Sequence, residues 1–152
     1  MGGNPEVERE IVEHIGSVVL VPLTGRGTVL LVRQWRQPAG KVLLEAPAGT
    51  LEPGEKPEAC AQRELQEETG HRARKLTPLP GFWVAPGWCT EYMHAFLATG
   101  LSAASLPQDD DEDVHVEETV LNQVQDLIRS GEIQDAKSIA ALLSAMYLME
   151  AT

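Results

Sequence analysis

Gly49-Thr-Leu-Glu-Pro-Gly-Glu55 and, after a gap of seven residues, Arg63-Glu-Leu-Gln-Glu-Glu-Thr-Gly70 form the stretch whose reading decides the fold of this chain. From Pro57 to Thr69 the sequence is rich in Glu, Ala, Gln, Arg and Leu, a composition that favours helix. Pro57 suits the first helical turn, where a missing N–H loses nothing, and Gly70 suits the C-terminal cap. On such a helix residues three and four apart share a face, so Glu64, Glu67 and Glu68 project together. Like charges at that spacing repel by about 0.2–0.5 kcal/mol per pair. Something must offset this, and a hard divalent cation is the obvious candidate, because Mg²⁺ prefers carboxylate oxygens and typically also binds substrate phosphates. Arg63, four residues before Glu67, neutralises part of the cluster, and Glu55 in the preceding loop can fold back toward the same face. Glutamate runs on helices are usually solvated faces, so the helix alone carries little weight.

Upstream, Ser17-Val-Val-Leu-Val-Pro-Leu23 and Thr28-Val-Leu-Leu-Val-Arg33, separated by Thr24-Gly-Arg-Gly27, read as a hairpin. A short strand is expected over 42–46, between Gly40 and Pro47. Downstream, 76–84 is broken by Pro78, Pro80 and Gly81 and reads as irregular strand and loop, with a turn at Ala85-Pro-Gly-Trp88. A strand follows over 92–98, then a loop over 102–113 that ends in the acidic run from Asp109 to Asp113, then a short strand over 114–116. Val120, Val124, Leu127 and Ile128 keep helical spacing as far as Gly131. A last helix over 138–150 places Ile139, Leu142, Leu143, Met146 and Tyr147 on one side. Strands broken by one central helix, with helices added late, indicate a mixed α/β sandwich.

At 152 residues the chain is long enough for one domain whose core needs no disulfide or structural metal. Twelve Lys and Arg against 23 Asp and Glu leave a net charge of −11. That balance argues against non-specific nucleic-acid binding, which relies on basic side chains at phosphates, and against an anionic membrane surface. A polyanionic substrate would need a cation to mediate. Cys60 and Cys89, without a C-x-x-C pair, exclude a Cys-rich zinc module and suit the reducing cytoplasm. The first residues lack the basic start and apolar stretch of a signal peptide, and no apolar run approaches the ~18 residues of a membrane span. A soluble, cytoplasmic protein is expected.

The complete spacing, from Gly49 through Glu55 to Arg63-Glu-Leu-x-Glu-Glu-x-Gly70, resembles the Nudix box, the signature of the Nudix hydrolases. Gly49, Glu55, Arg63, Glu64, Leu65, Glu67, Glu68 and Gly70 match as they stand; His71 replaces the aliphatic residue that usually ends the box. The resemblance implies an α/β/α sandwich with a mixed β-sheet. It also implies hydrolysis of a nucleoside diphosphate linked to another moiety, with Mg²⁺ bound by the box glutamates and Mn²⁺ able to substitute. By the same resemblance Glu64 and Glu68 would be direct metal ligands, Glu67 a ligand direct or through water, and the Ala48 carbonyl the completion of the shell. Arg63 and Glu55 would orient and support this catalytic set.

The resemblance extends over 11–148. Arg33-Gln-Trp-Arg36, Leu44-Glu-Ala-Pro-Ala-Gly49, Pro86 sixteen residues after Gly70, Glu91, and Gly131-Glu-Ile-Gln-Asp-Ala-Lys-Ser138 are similar to the ADP-ribose pyrophosphatases. This implies cleavage of ADP-ribose to AMP and ribose 5-phosphate, with Arg33, Arg36, Gly87 and Glu91 at the substrate. The alternatives are another nucleotide sugar or dinucleotide as substrate, or an ADP-ribose-binding module without turnover. Taken singly, either arginine is as readily a surface residue at a strand end; Trp83 and Trp88 can wall a pocket or pack, and Trp35 can stack on adenine but better suits core or interface. The acidic run is no EF-hand, since Val114 stands where the loop needs Gly and Val120 where it needs Glu. The resemblance instead implies Glu112 as general base, with Glu91 and Glu118 as alternatives, and leaves His94 and His115 to structure. A homodimer is implied too. Relatives usually carry an N-terminal β-domain exchanged between subunits, whereas here 1–13 is a short N-terminal segment, with a remnant strand over 7–12, and 14–152 is the Nudix domain. A small nucleotide derivative, not nucleic acid or membrane, is the expected partner.

Overall fold

Six consecutive residues of β1 (Ser17–Pro22) are buried, as a strand of valine and leucine with no polar alternation requires. The structure, a computed structural model, describes residues 7–107 and 114–151. β1 pairs in parallel with β6 (Tyr92–Ala103) and antiparallel with β4 (Ala48–Thr50), and β6 pairs antiparallel with β5 (His71–Trp83). These strands make a mixed sheet in the order β4-β1-β6-β5, while β3 (Lys41–Glu45), β2 (Thr28–Arg36) and β7 (Val114–Val120) make a second, antiparallel sheet. Val18 and Leu20 pack with Cys60, Ala61 and Leu65 of α1 (Pro57–Thr69). Val19 and Val21, on the opposite face, share a core with Val124 of α2 (Val124–Ser130) and with Ala141, Leu142 and Ala145 of α3 (Ala136–Glu150). The expected α/β/α sandwich follows directly from this alternation along one strand.

α1 spans the residues expected of it, with Pro57 in its first turn and Gly70 at φ 69°, whose N–H returns to the Gln66 carbonyl. Other local expectations give way to tertiary structure. β1 and β2 are not a paired hairpin: the turn at 24–27 forms, but only the bridge Leu23↔Val29 joins them, and they enter different sheets. The edges of β1 are occupied by β4 and β6, partners distant in sequence. The proline-broken stretch after α1 is a continuous strand, because β5 is an edge strand that absorbs Pro80 and Gly81 in an irregularity between Leu79 and Phe82. Val120 ends β7 opposite Thr28 instead of opening a helix. α3 buries Ser138, Ala141, Leu142 and Ala145, leaving Leu143 exposed and Tyr147 76% exposed. Its contact face combines these buried residues with Ile139, Met146 and Leu148, which pack against the same core. Within 7–12, Val12 alone joins a strand partner, bridging in parallel to Cys89.

Candidate active site

Glu64 and Glu68 lie on the buried side of α1, while Glu67 is half-buried. The loop ahead of the helix is shaped to receive them. A Cβ on Gly49 would come within 1.8 Å of the Glu64 carboxyl carbon, so only glycine lets this carboxylate lie against β4. One residue earlier, Ala48 N donates to Glu68 Oε2 at 3.0 Å. Strand and helix therefore hold each other through the very side chains that carry the charge.

Arg63 is the hub. Its Nε and Nη2 donate to Glu55 Oε1 and Oε2 at 3.1 and 3.0 Å, and its Nη1 to Glu64 Oε1 and Glu67 Oε2 at 2.7 and 3.0 Å. Nη2 also reaches the Thr50 carbonyl at 3.1 Å, and the Glu52 amide donates to Glu55 Oε2. Glu55, the first of these partners, raises the guanidinium pKa further. Burial pushes the Cys60 thiol up to about 12, so this neighbour stays neutral. One guanidinium does not neutralise four carboxylates. Among the described residues no three His, Cys, Asp or Glu side chains close on one point as they stand, since the oxygens are committed to Arg63 and Ala48. Hard oxygen donors carrying excess negative charge are nevertheless the donor set that suits Mg²⁺ or Mn²⁺.

The Arg63 hydrogen bonds hold the Glu55 carboxyl at about 2, below its ordinary 4.5. A depressed carboxylate stabilises the fold above the unfolded value, and that contribution disappears as pH falls from 4.5 through about 2. Thermal unfolding of Glu55→Gln is therefore expected to depend less on pH across this window than that of the native chain. Parallel curves would show that Glu55 is not a source of the acid sensitivity.

From the helix, Arg63 and Glu64 reach a cleft of about 670 Å³ that Ser17, Ala48, Gly49 and Glu91 also line, while Glu67 and Glu68 are not among its lining residues. Arg36, Asp135 and Lys137 line it too. Arg36 donates from Nε and Nη2 to Glu45 at 2.9 and 2.7 Å, and Lys137 bonds both Glu45 and Asp135. Glu45 is 1% exposed; burial pushes its carboxyl up, but Arg36 and Lys137 outweigh this and the net shift is downward. Arg33 is not a cleft residue: it pairs with Glu117 and Glu132, because residues three apart on a strand point to opposite faces. Glu91 accepts from Ser17 Oγ at 2.7 Å within the cleft. Glu118 is outside the lining and is bound by Arg26 and Thr28. Gly87 lines a separate apolar pocket of about 260 Å³ with Trp83 and Trp88, and Trp35 is 53% exposed, not core. Glu112 lies outside the described residues. His71 Nδ1 sits 2.7 Å from the Thr69 carbonyl, filling the place of the aliphatic residue. Glu45 and Lys137 had no role in the sequence reading, although both stand in segments quoted there.

A sandwich whose central helix turns a glycine-floored glutamate into the main cleft is the architecture of a Nudix domain. The family model described as NUDIX domain matches residues 13–142, and the chain belongs to the Nudix family. It is 43% identical over 137 residues to an ADP-ribose pyrophosphatase of Bacillus subtilis (strain 168), covering 89% of this chain and 74% of that one. It is 33% identical to a GDP-mannose pyrophosphatase of Escherichia coli (strain K12), over 89% of this chain and 76% of that protein. A crystal structure described as that of an ADP compounds hydrolase superposes with a TM-score of 0.83 at 27% identity, over 91% of this chain and 73% of its own.

Proposed function

We propose that this protein is a Mg²⁺-dependent hydrolase that cleaves ADP-ribose to AMP and ribose 5-phosphate. The observation that carries the proposal is the placement of Glu64 and the Ala48–Gly49 segment of the glutamate cluster, together with the basic Arg36 and Lys137, in one cleft large enough for a nucleoside diphosphate. Glu64, Glu68 and the Ala48 carbonyl would hold Mg²⁺, or Mn²⁺ in its place, with Glu67 as a direct or water-mediated ligand. A divalent ion held there would supply stabilisation of the charge developing on the phosphates and activation of the attacking water. Arg63 and Glu55 orient the glutamates, since every Arg63 donor nitrogen is already committed to them or to the loop. Arg36 binds a phosphate oxygen, guanidinium being suited to phosphate by shape and charge. Gly87 and the neighbouring tryptophans offer an apolar surface for the base.

For the proton acceptor, the resemblance favours Glu112 and the geometry offers Glu91, which already lines the cleft. Turnover by Glu112→Gln and Glu91→Gln distinguishes them. Arg33, held by two glutamates on the other face, would have to exchange partners to reach substrate.

The same proposal takes 1–13 as a segment outside the catalytic domain and the working protein as a cytoplasmic homodimer. Exposed Val7, Ile11, Trp83 and Trp88 support association, and the free thiols of Cys60 and Cys89 suit a reducing compartment. Among the described residues no helix is long and apolar enough to cross a membrane. The GDP-mannose relative favours a second reading, a different nucleotide sugar, because the metal face does not touch the sugar. Purified protein with Mg²⁺ is expected to release AMP from ADP-ribose faster than GMP from GDP-mannose, and to lose both activities in EDTA. Preferential GMP release would favour the second reading, and ADP-ribose binding without product a sensing module.

A further inference from the structure

Ala46 and Pro47 carry the chain from one sheet to the other, since β3 ends at Glu45 in the second sheet and β4 begins at Ala48 in the first. Backbone groups at such a crossing have no ladder to join, and buried ones must find partners elsewhere. Three elements supply them. Ala46, 1% exposed, donates its N–H to Ser138 Oγ of α3 at 2.7 Å. The Pro47 carbonyl accepts from Leu20 N of β1 at 2.8 Å, and Ala48 N donates to Glu68 Oε2 of α1 at 3.0 Å. Ala48, which lines the cleft, is thus held from three directions.

The Ser138 contact is the unexpected one. At a fully buried position beside Ala141, Leu142 and Ala145, alanine would be the better helix former and would carry no hydroxyl to desolvate. The hydroxyl is nevertheless satisfied twice, and the direction of both bonds is fixed. Ala46 N can only donate, so Ser138 Oγ accepts from it and gives its single proton to Asp135 Oδ2 at 2.9 Å. Asp135 is the N-cap of α3, and the same oxygen accepts from Ser138 N at 3.1 Å. The relay from Asp135 through Ser138 to Ala46 is therefore anchored in the first turn of a helix that packs on the core.

We infer that Ser138 is a positioning residue for the metal site: oriented by Asp135, it fixes the crossing so that the Ala48 carbonyl is presented to the divalent ion. This rests on the reading of Ala48, Glu64 and Glu68 as metal ligands and deepens it. Ser138 itself does not line the cleft.

The test is Mn²⁺ binding to the substrate-free protein, measured by calorimetry, for the native chain, Ser138→Ala, Ala145→Gly and Glu68→Gln. Ser138→Ala is expected to raise the Mn²⁺ dissociation constant about tenfold, the scale on which groups that orient a ligand act. The Mg²⁺ concentration for half-maximal hydrolysis should rise with it, while KM for ADP-ribose at saturating Mg²⁺ stays native. Ala145→Gly weakens the same helix at a fully buried position outside the relay, and should bind Mn²⁺ as the native chain does. Native affinity in Ser138→Ala, or an equal loss in Ala145→Gly, would overturn the inference while leaving the metal reading intact. If Ser138→Ala fails to fold, Ser138→Cys decides, because a thiol is a weaker donor and acceptor in the same place. Weakened Mn²⁺ binding there supports the inference, and native affinity overturns it. Native protein that binds no Mn²⁺, or binding that Glu68→Gln leaves unchanged, would overturn the metal reading and this inference with it.

Discussion

Glu68→Gln is expected to lower ADP-ribose turnover on the order of a thousandfold while the protein remains folded. Losing a ligand to the catalytic cation withdraws several kcal/mol of charge stabilisation, and each ~1.4 kcal/mol is worth tenfold in rate. The fold should survive because the amide oxygen of glutamine can still accept from Ala48 N, where Glu68 Oε2 now lies at 3.0 Å. Glu68 is 2% exposed, so the isosteric change leaves no cavity. Turnover and thermal unfolding measured on one preparation check both halves. Native turnover would remove Glu68 from the metal set. A collapse of stability would make it a structural acid instead.

Gly49→Ala should cost activity heavily and stability little. The new Cβ would lie 1.8 Å from the Glu64 carboxyl carbon and 1.8 Å from Oε1. The obstructed group is the far end of a flexible side chain, and the Gly49 backbone is not in the left-handed region, so the helix and strand need not move. What must move is the carboxylate. Displacing a catalytic group by about 1 Å can cost on the order of a hundredfold, and turnover should fall accordingly. Metal affinity, read by Mg²⁺ titration of activity, should weaken in parallel. Unaltered activity would mean that Glu64 finds an equivalent position and that the glycine serves only the local backbone.

The Arg63-centred cluster was legible because every local signal agreed. Propensity, the proline at the start, the glycine cap and the i, i+4 charges all concern neighbours along one helix. Strand pairing was not legible in this way. β1 and β2 read as a hairpin from proximity, yet β1 takes its partners from β4 and β6, a choice set by burial across the whole sandwich. Arg33 and Arg36 show a subtler loss: their spacing of three already separates them on a strand, and only Arg36 faces the cleft. Glu45 gave no local sign of its role. A glutamate in a short strand reads as exposed, and its burial becomes intelligible only with Lys137, 92 residues away, beside it. Of the apolar face expected of α3, Ile139, Leu142 and Met146 pack against the core, whereas Leu143 and Tyr147 are exposed and Ala141 and Ala145 are buried instead.

All of the proposed chemistry depends on the α1 glutamates gripping divalent ions. Crystals grown with Mn²⁺ and a non-hydrolysable ADP-ribose analogue, examined by anomalous scattering, test this most directly. The expected result is manganese at the Glu64 and Glu68 carboxylates and the Ala48 carbonyl, bridging to the diphosphate while Arg63 stays on Glu55. Manganese bound elsewhere, with Glu64 still on Arg63 and Glu68 still on the Ala48 amide, would contradict the account.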